Sequence, residues 1–66
     1  MNFKIDVWTK KKYYDVHVRG YKKSNGDPPD IDELKIFNEK GKRVEKRLTE
    51  KDFNIIVEEI YKRGES

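Results

Sequence analysis

Phe3, Ile5 and Val7 alternate with Lys4, Asp6 and Trp8. Successive side chains of an extended chain point to opposite faces, so this spacing predicts a strand over 3–8 with one apolar face. Residues 13–19 repeat the pattern: Tyr14, Val16 and Val18 share one face, and Tyr13, Asp15, His17 and Arg19 the other. The short polar link Thr9-Lys10-Lys11-Lys12 makes the pair an antiparallel hairpin. Such a sheet needs a cover for its apolar face. The last part of the chain offers one, because Phe53, Ile56, Val57 and Ile60 follow the i, i+3, i+4, i+7 spacing of an amphipathic helix.

The middle of the chain reads as loop, strand and turn. Residues 22–30 contain Asn25-Gly26 and Pro28-Pro29, which favour positive φ and exclude regular pairing. Residues 31–37 form a third strand with Leu34 and Ile36 on one face and Phe37 on the other, and Gly41 then sits in a turn over 38–42. Residues 43–47 form a short fourth strand whose charges suit a sheet edge. Thr49 is placed to cap the helix, Leu48 and Phe53 have the spacing of a hydrophobic staple, and Gly64 fits the position just past the helix end. Acidic Glu50 and Asp52 at the start and basic Lys62 and Arg63 at the end suit the helix dipole. Ile55 points away from the apolar stripe and is expected in solvent.

The fold class that follows is α+β. A three- to four-stranded antiparallel sheet in the order β-β-loop-β-β-α carries one C-terminal helix on one face, as a single domain over 1–66. The expected core is Phe3, Ile5, Val7, Tyr14, Val16, Val18, Leu34, Ile36, Val44, Leu48, Phe53, Ile56, Val57 and Ile60.

Composition narrows the function. A 66-residue chain buries only about 60% of its unfolded surface, so its stability is small. With no cysteine there is neither a disulfide nor a thiolate metal site, and one histidine is too few for a usual zinc site. No metal and no cofactor is expected. Absence of cysteine fits the cytoplasm. No apolar run reaches the roughly 18–20 residues of a membrane span, and charges interrupt the N-terminal stretch, so neither a membrane segment nor a signal peptide is read. Asp27, Asp30, Asp32 and Glu33 lack the spacing of a calcium loop. His17 has no nucleophile and orienting partner in a recognisable motif, and no phosphate-binding glycine loop occurs, so no enzyme is expected.

Two surfaces remain as candidates. The polar face of the sheet carries Trp8, Tyr13, His17, Arg19 and Tyr21, residue types that dominate protein interfaces and also stack on unpaired bases. The turns supply a basic edge of Lys10, Lys11, Lys12, Lys40, Lys42 and Arg43 if they gather at one end of the sheet. The net charge of +3 is modest for a dedicated nucleic-acid binder.

Residues 28–60 run Pro-Pro-Asp-Ile-Asp-Glu-Leu-Lys-Ile-Phe-Asn-Glu-Lys-Gly-Lys-Arg-Val, then Leu-Thr-Glu-Lys-Asp-Phe and the helix. This layout, about half the chain, resembles small phage-encoded accessory proteins with a strand pair, a proline loop, a strand ending in a glycine turn and a capped C-terminal helix. The resemblance carries over no catalytic residue. It implies a protein that binds and blocks a host protein, including a defence enzyme, in a bacterial cytoplasm. The expected function is therefore inhibition of a host protein by occlusion, with the aromatic face as contact or as homodimer interface. The alternative is a small nucleic-acid-binding module.

Overall fold

A computed structural model describes residues 1–23 and 28–65. Three strands and one helix form in the order β1 (Phe3–Trp8), β2 (Tyr13–Arg19), β3 (Glu33–Asn38) and α1 (Glu50–Glu65). The sheet is antiparallel throughout, ordered β1-β2-β3, with Ile5 opposite Val16 and Val16 opposite Ile36. The fold is α+β. Val7, Tyr14, Val16, Val18, Ile36, Ile56 and Ile60 are buried between sheet and helix. Phe3, Ile5, Leu34, Val44 and Leu48 pack around them. The period-two reading of the strands therefore assigns the faces correctly.

The fourth strand does not form. Arg43 makes only an isolated bridge to Phe37, and the Val44 N–H donates to the Ile36 carbonyl at 2.9 Å. The chain then turns, with the Arg47 N–H on the Val44 carbonyl at 2.9 Å. Val44 and Leu48 both pack on the core, so the chain leaves the sheet plane to deliver them. β3 begins at Glu33 rather than residue 31. Ile31 packs inward, and the segment before β3 is held by the irregular bridge Lys22–Asp30. The Asn25-Gly26 turn and Asp27 lie outside the described residues. Gly41 has φ 80°, the left-handed conformation that the turn requires. Asn38 closes that turn, its Oδ1 accepting the Lys40 and Lys42 N–H groups at 2.9 and 3.0 Å.

Thr49 caps α1: its Oγ1 accepts the Asp52 N–H at 3.2 Å, and its carbonyl accepts the Phe53 N–H at 3.0 Å. The inward face differs from the predicted stripe. Ile56, Ile60 and Gly64 are the buried helix residues, and Asp52 turns in to accept the Tyr14 hydroxyl at 2.7 Å. Positions 52, 56, 60 and 64 thus make one line at four-residue spacing. Rotating the helix onto that line leaves Phe53 42% exposed and brings Ile55 into contact with the core. Phe53 is not a core residue and Ile55 is not a solvent one. Gly64 lies inside the helix rather than past it, and a side chain there would meet Tyr21.

Candidate functional site

With α1 on one side, the opposite face of the sheet is open. Trp8 and Tyr13 stand opposite each other at the end of β1 and the start of β2, ring centroids 4.7 Å apart. Trp8 is 73% exposed, the most of any large hydrophobic residue among those described. Next along the sheet come Asp6, Asp15 and Phe37, in register across three strands, and then Lys4, His17 and Lys35. Arg19 faces Glu33 in the row after that. The predicted residues Trp8, Tyr13, His17 and Arg19 therefore share one surface.

Tyr21 does not join them. Gly20 adopts φ 73°, which breaks the two-residue alternation and turns Tyr21 to the helix side. There Tyr21 is buried, packed against Phe3 with centroids 5.7 Å apart and lying under Gly64. Phe37 belongs to the surface instead: its ring lies 4.9 Å from that of His17.

The face is polar in a particular order. Asp6 and Asp15 are directly opposed, an arrangement that costs stability when both are ionised. Each has a partner. The Tyr13 hydroxyl donates to Asp6 Oδ1 at 2.6 Å, and Asp15 Oδ2 lies 3.0 Å from His17 Nε2. The hydrogen bond to the Asp6 carboxylate, more than any other influence, pushes the Tyr13 phenol up to about 12. Lys35 pairs with Glu33 at 3.3 Å. The result is a fixed aromatic pair at one end, carboxylates in the middle and cations at the other end.

Of the expected basic edge, Lys10, Lys11, Lys12 and Lys40 line depressions at one end of the sheet, and Lys42 and Arg43 line neither. Tyr14 pairs with Asn38, so the β1–β2 turn and the turn after β3 share one end of the sheet. Lys12 and Lys40 line one depression together with Arg47, Val44 and Leu48. Lys10, Lys11 and Lys12 line a second with Thr49, Lys51 and Ile55. Arg43 is engaged elsewhere, its guanidinium holding Glu45 at 2.7 and 2.8 Å and keeping that carboxyl below its usual range. Arg47 and Lys51 are the additions that sequence spacing missed. They sit beside the cap of α1, and only the fold shows that this cap lies next to the β1–β2 turn.

Among the described residues, no cluster of three or more His, Asp or Glu is placed to hold a metal ion. No helix there is long and apolar enough to cross a membrane. Comparison with protein families, curated proteins and solved structures gives no match to the chain.

Proposed function

We propose that this is a non-enzymatic binding protein that docks the open face of its sheet on a partner protein and occludes the surface it covers. The observation that carries the proposal is Trp8, held against Tyr13 yet 73% exposed, on a face that no element among the described residues covers. A solvent-facing Trp–Tyr pair, with Lys4, Lys35 and Arg19 further along the same face, is the composition of an interface hot spot. The opposed Asp6 and Asp15 support the same reading, since a face serving only as sheet cover gains nothing from that repulsion. Those carboxylates also disfavour a phosphate chain across the middle of this face. Blocking a host enzyme, as the resemblance to phage accessory proteins implies, is the use that such docking serves in this proposal.

The test places a photo-crosslinking residue at Lys4, on the docking face, or at Glu58, on the exposed side of α1, in bacterial cells. The proposal expects one discrete adduct from position 4, none from position 58, and loss of the adduct when Trp8→Ala is added. Equal adducts from both positions, or an adduct indifferent to Trp8→Ala, would overturn it.

A further inference from the structure

Charge is distributed unevenly along the sheet. Residues 9–13 hold three cations and no acid, and residues 39–51 hold six cations against three acids. Together these segments carry +6 in a chain whose total is +3, so everything else sums to −3. The sheet register and the two depressions bring the segments to one end of the molecule. The depressions meet at Lys12, which lines both. Their cations are Lys40, Arg47 and Lys12 on one side and Lys10, Lys11 and Lys51 on the other. Among the described residues none of these six side chains is held in an ion pair. Val44, Leu48 and Ile55 give the two depressions apolar floors.

We propose that this end is a binding track for a single-stranded polynucleotide, with Trp8 as a stacking platform at its border. A single strand needs two things from a protein: cations spaced along a groove for its phosphates, and an exposed aromatic face for an unpaired base. Lys10, Lys12, Lys40 and Arg47 supply the first. Trp8 supplies the second. One side of its ring leans on Tyr13, which itself lines the first depression, and the ring is otherwise open. An acidic protein segment would also use the lysines, and polyglutamate tests that occupant. A duplex would present its bases stacked and out of reach. This track excludes the opposed Asp6 and Asp15 of the sheet face, with Glu39 and Asp52 as the acids that line its own depressions, and the two surfaces adjoin at Trp8 and Tyr13.

Trp8 is the chain's one tryptophan, and its fluorescence reports the platform directly. The probes are oligothymidylate and oligouridylate of about 15 nucleotides, with polyglutamate of similar length as the acidic polypeptide. Engagement of about five phosphates gives a log–log salt slope near −3.5, and affinity falls about 100-fold between about 50 and 200 mM salt. The triple substitution Lys10→Gln/Lys12→Gln/Arg47→Gln makes that slope shallower by about 2. All three residues are exposed and lie outside the strands and helix, and circular dichroism is the check that the variant folds. Lys22→Gln/Lys23→Gln, outside the track, leaves the slope unchanged. Quenching by either oligonucleotide with this pattern supports the track, and the stronger of the two assigns it to DNA or RNA. Absence of quenching overturns it. So do equal effects of the triple and double substitutions, which would mark undirected charge attraction, and binding of polyglutamate as tight as that of the oligonucleotides.

Discussion

Gly64→Ala should destabilise this protein, although the same change in a solvent-facing helix position should stabilise it. Alanine gains about 0.8–1.0 kcal/mol over glycine in a helix interior. At position 64 the added Cβ would run into Cζ and Cε1 of Tyr21. Those carbons cannot yield easily: Tyr21 is 2% exposed and packs at a tilt against Phe3. Overpacking of this kind costs about 1–3 kcal/mol, so the net loss is up to about 2 kcal/mol after the propensity gain. In a domain this small each kcal/mol moves Tm by about 4–8 °C. Thermal unfolding followed by far-UV circular dichroism reads the shift, and urea titration checks it. A second background isolates the cause. Tyr21→Leu removes the distal ring carbons, and there Gly64→Ala should stabilise by up to about 1 kcal/mol. The reasoning is refuted if Gly64→Ala raises Tm in the native background, because the helix end would then be free of Tyr21.

Other outcomes follow from the same contacts. Gly20→Ala combines φ 73° with a Cβ driven into Asp32, whereas Gly41→Ala at φ 80° meets nothing within 4 Å; left-handed strain alone costs about 1–2 kcal/mol, so urea titration should show the larger loss at Gly20. Burial, followed by the hydrogen bond to Asp52, raises the Tyr14 phenol from 10.0 to about 12. A raised folded value favours the protonated form, so its contribution is full below pH 10.0 and is lost as pH rises toward about 12. Tyr14→Phe should cost about 1 kcal/mol at neutral pH and flatten that alkaline loss in pH-dependent unfolding. If the open face closes on a second copy of the chain, light scattering should show mass rising with concentration and Trp8→Ala restoring the monomer; unchanged mass across the series excludes that arrangement.

The strands and the sidedness of the sheet were legible because period-two alternation holds from Phe3 to Trp8, from Tyr13 to Arg19 and from Glu33 to Asn38. Alternation fails where one backbone conformation intervenes. A single left-handed glycine at position 20 moves Tyr21 from the open face to the core, and no pattern of neighbouring side chains signals it. The helix was legible in its start, since Thr49 caps as expected. Its rotation was not. Two of the four inward positions are Asp52 and Gly64, which hydrophobic patterning counts as outward. Asp52 faces inward because a tyrosine hydroxyl 38 residues away needs an acceptor, and Gly64 because a ring fills its space. Segment 43–47 reads as a strand from local residues, but Val44 and Leu48 reach the core only if the chain leaves the sheet. Of the open sheet face, Trp8, Tyr13, His17 and Arg19 were readable from alternation alone. The joining of Lys12 to Lys40, Arg47 and Lys51 was not, because it depends on how turns far apart in sequence meet at one end.

The central claim is that Trp8 serves binding rather than folding. The direct measurement pairs the Tm of Trp8→Ala with its affinity for the protein crosslinked through position 4. Truncating an exposed side chain costs the fold about 0.5 kcal/mol, with at most about 1 more for the lost stacking on Tyr13. Removing an interface anchor costs binding at least about 2 kcal/mol, or about 30-fold in Kd. The account predicts a Tm fall of no more than about 12 °C beside a 30-fold or greater loss of affinity. A large fall in Tm with affinity intact in the folded fraction would contradict it and make Trp8 part of the sheet's own support.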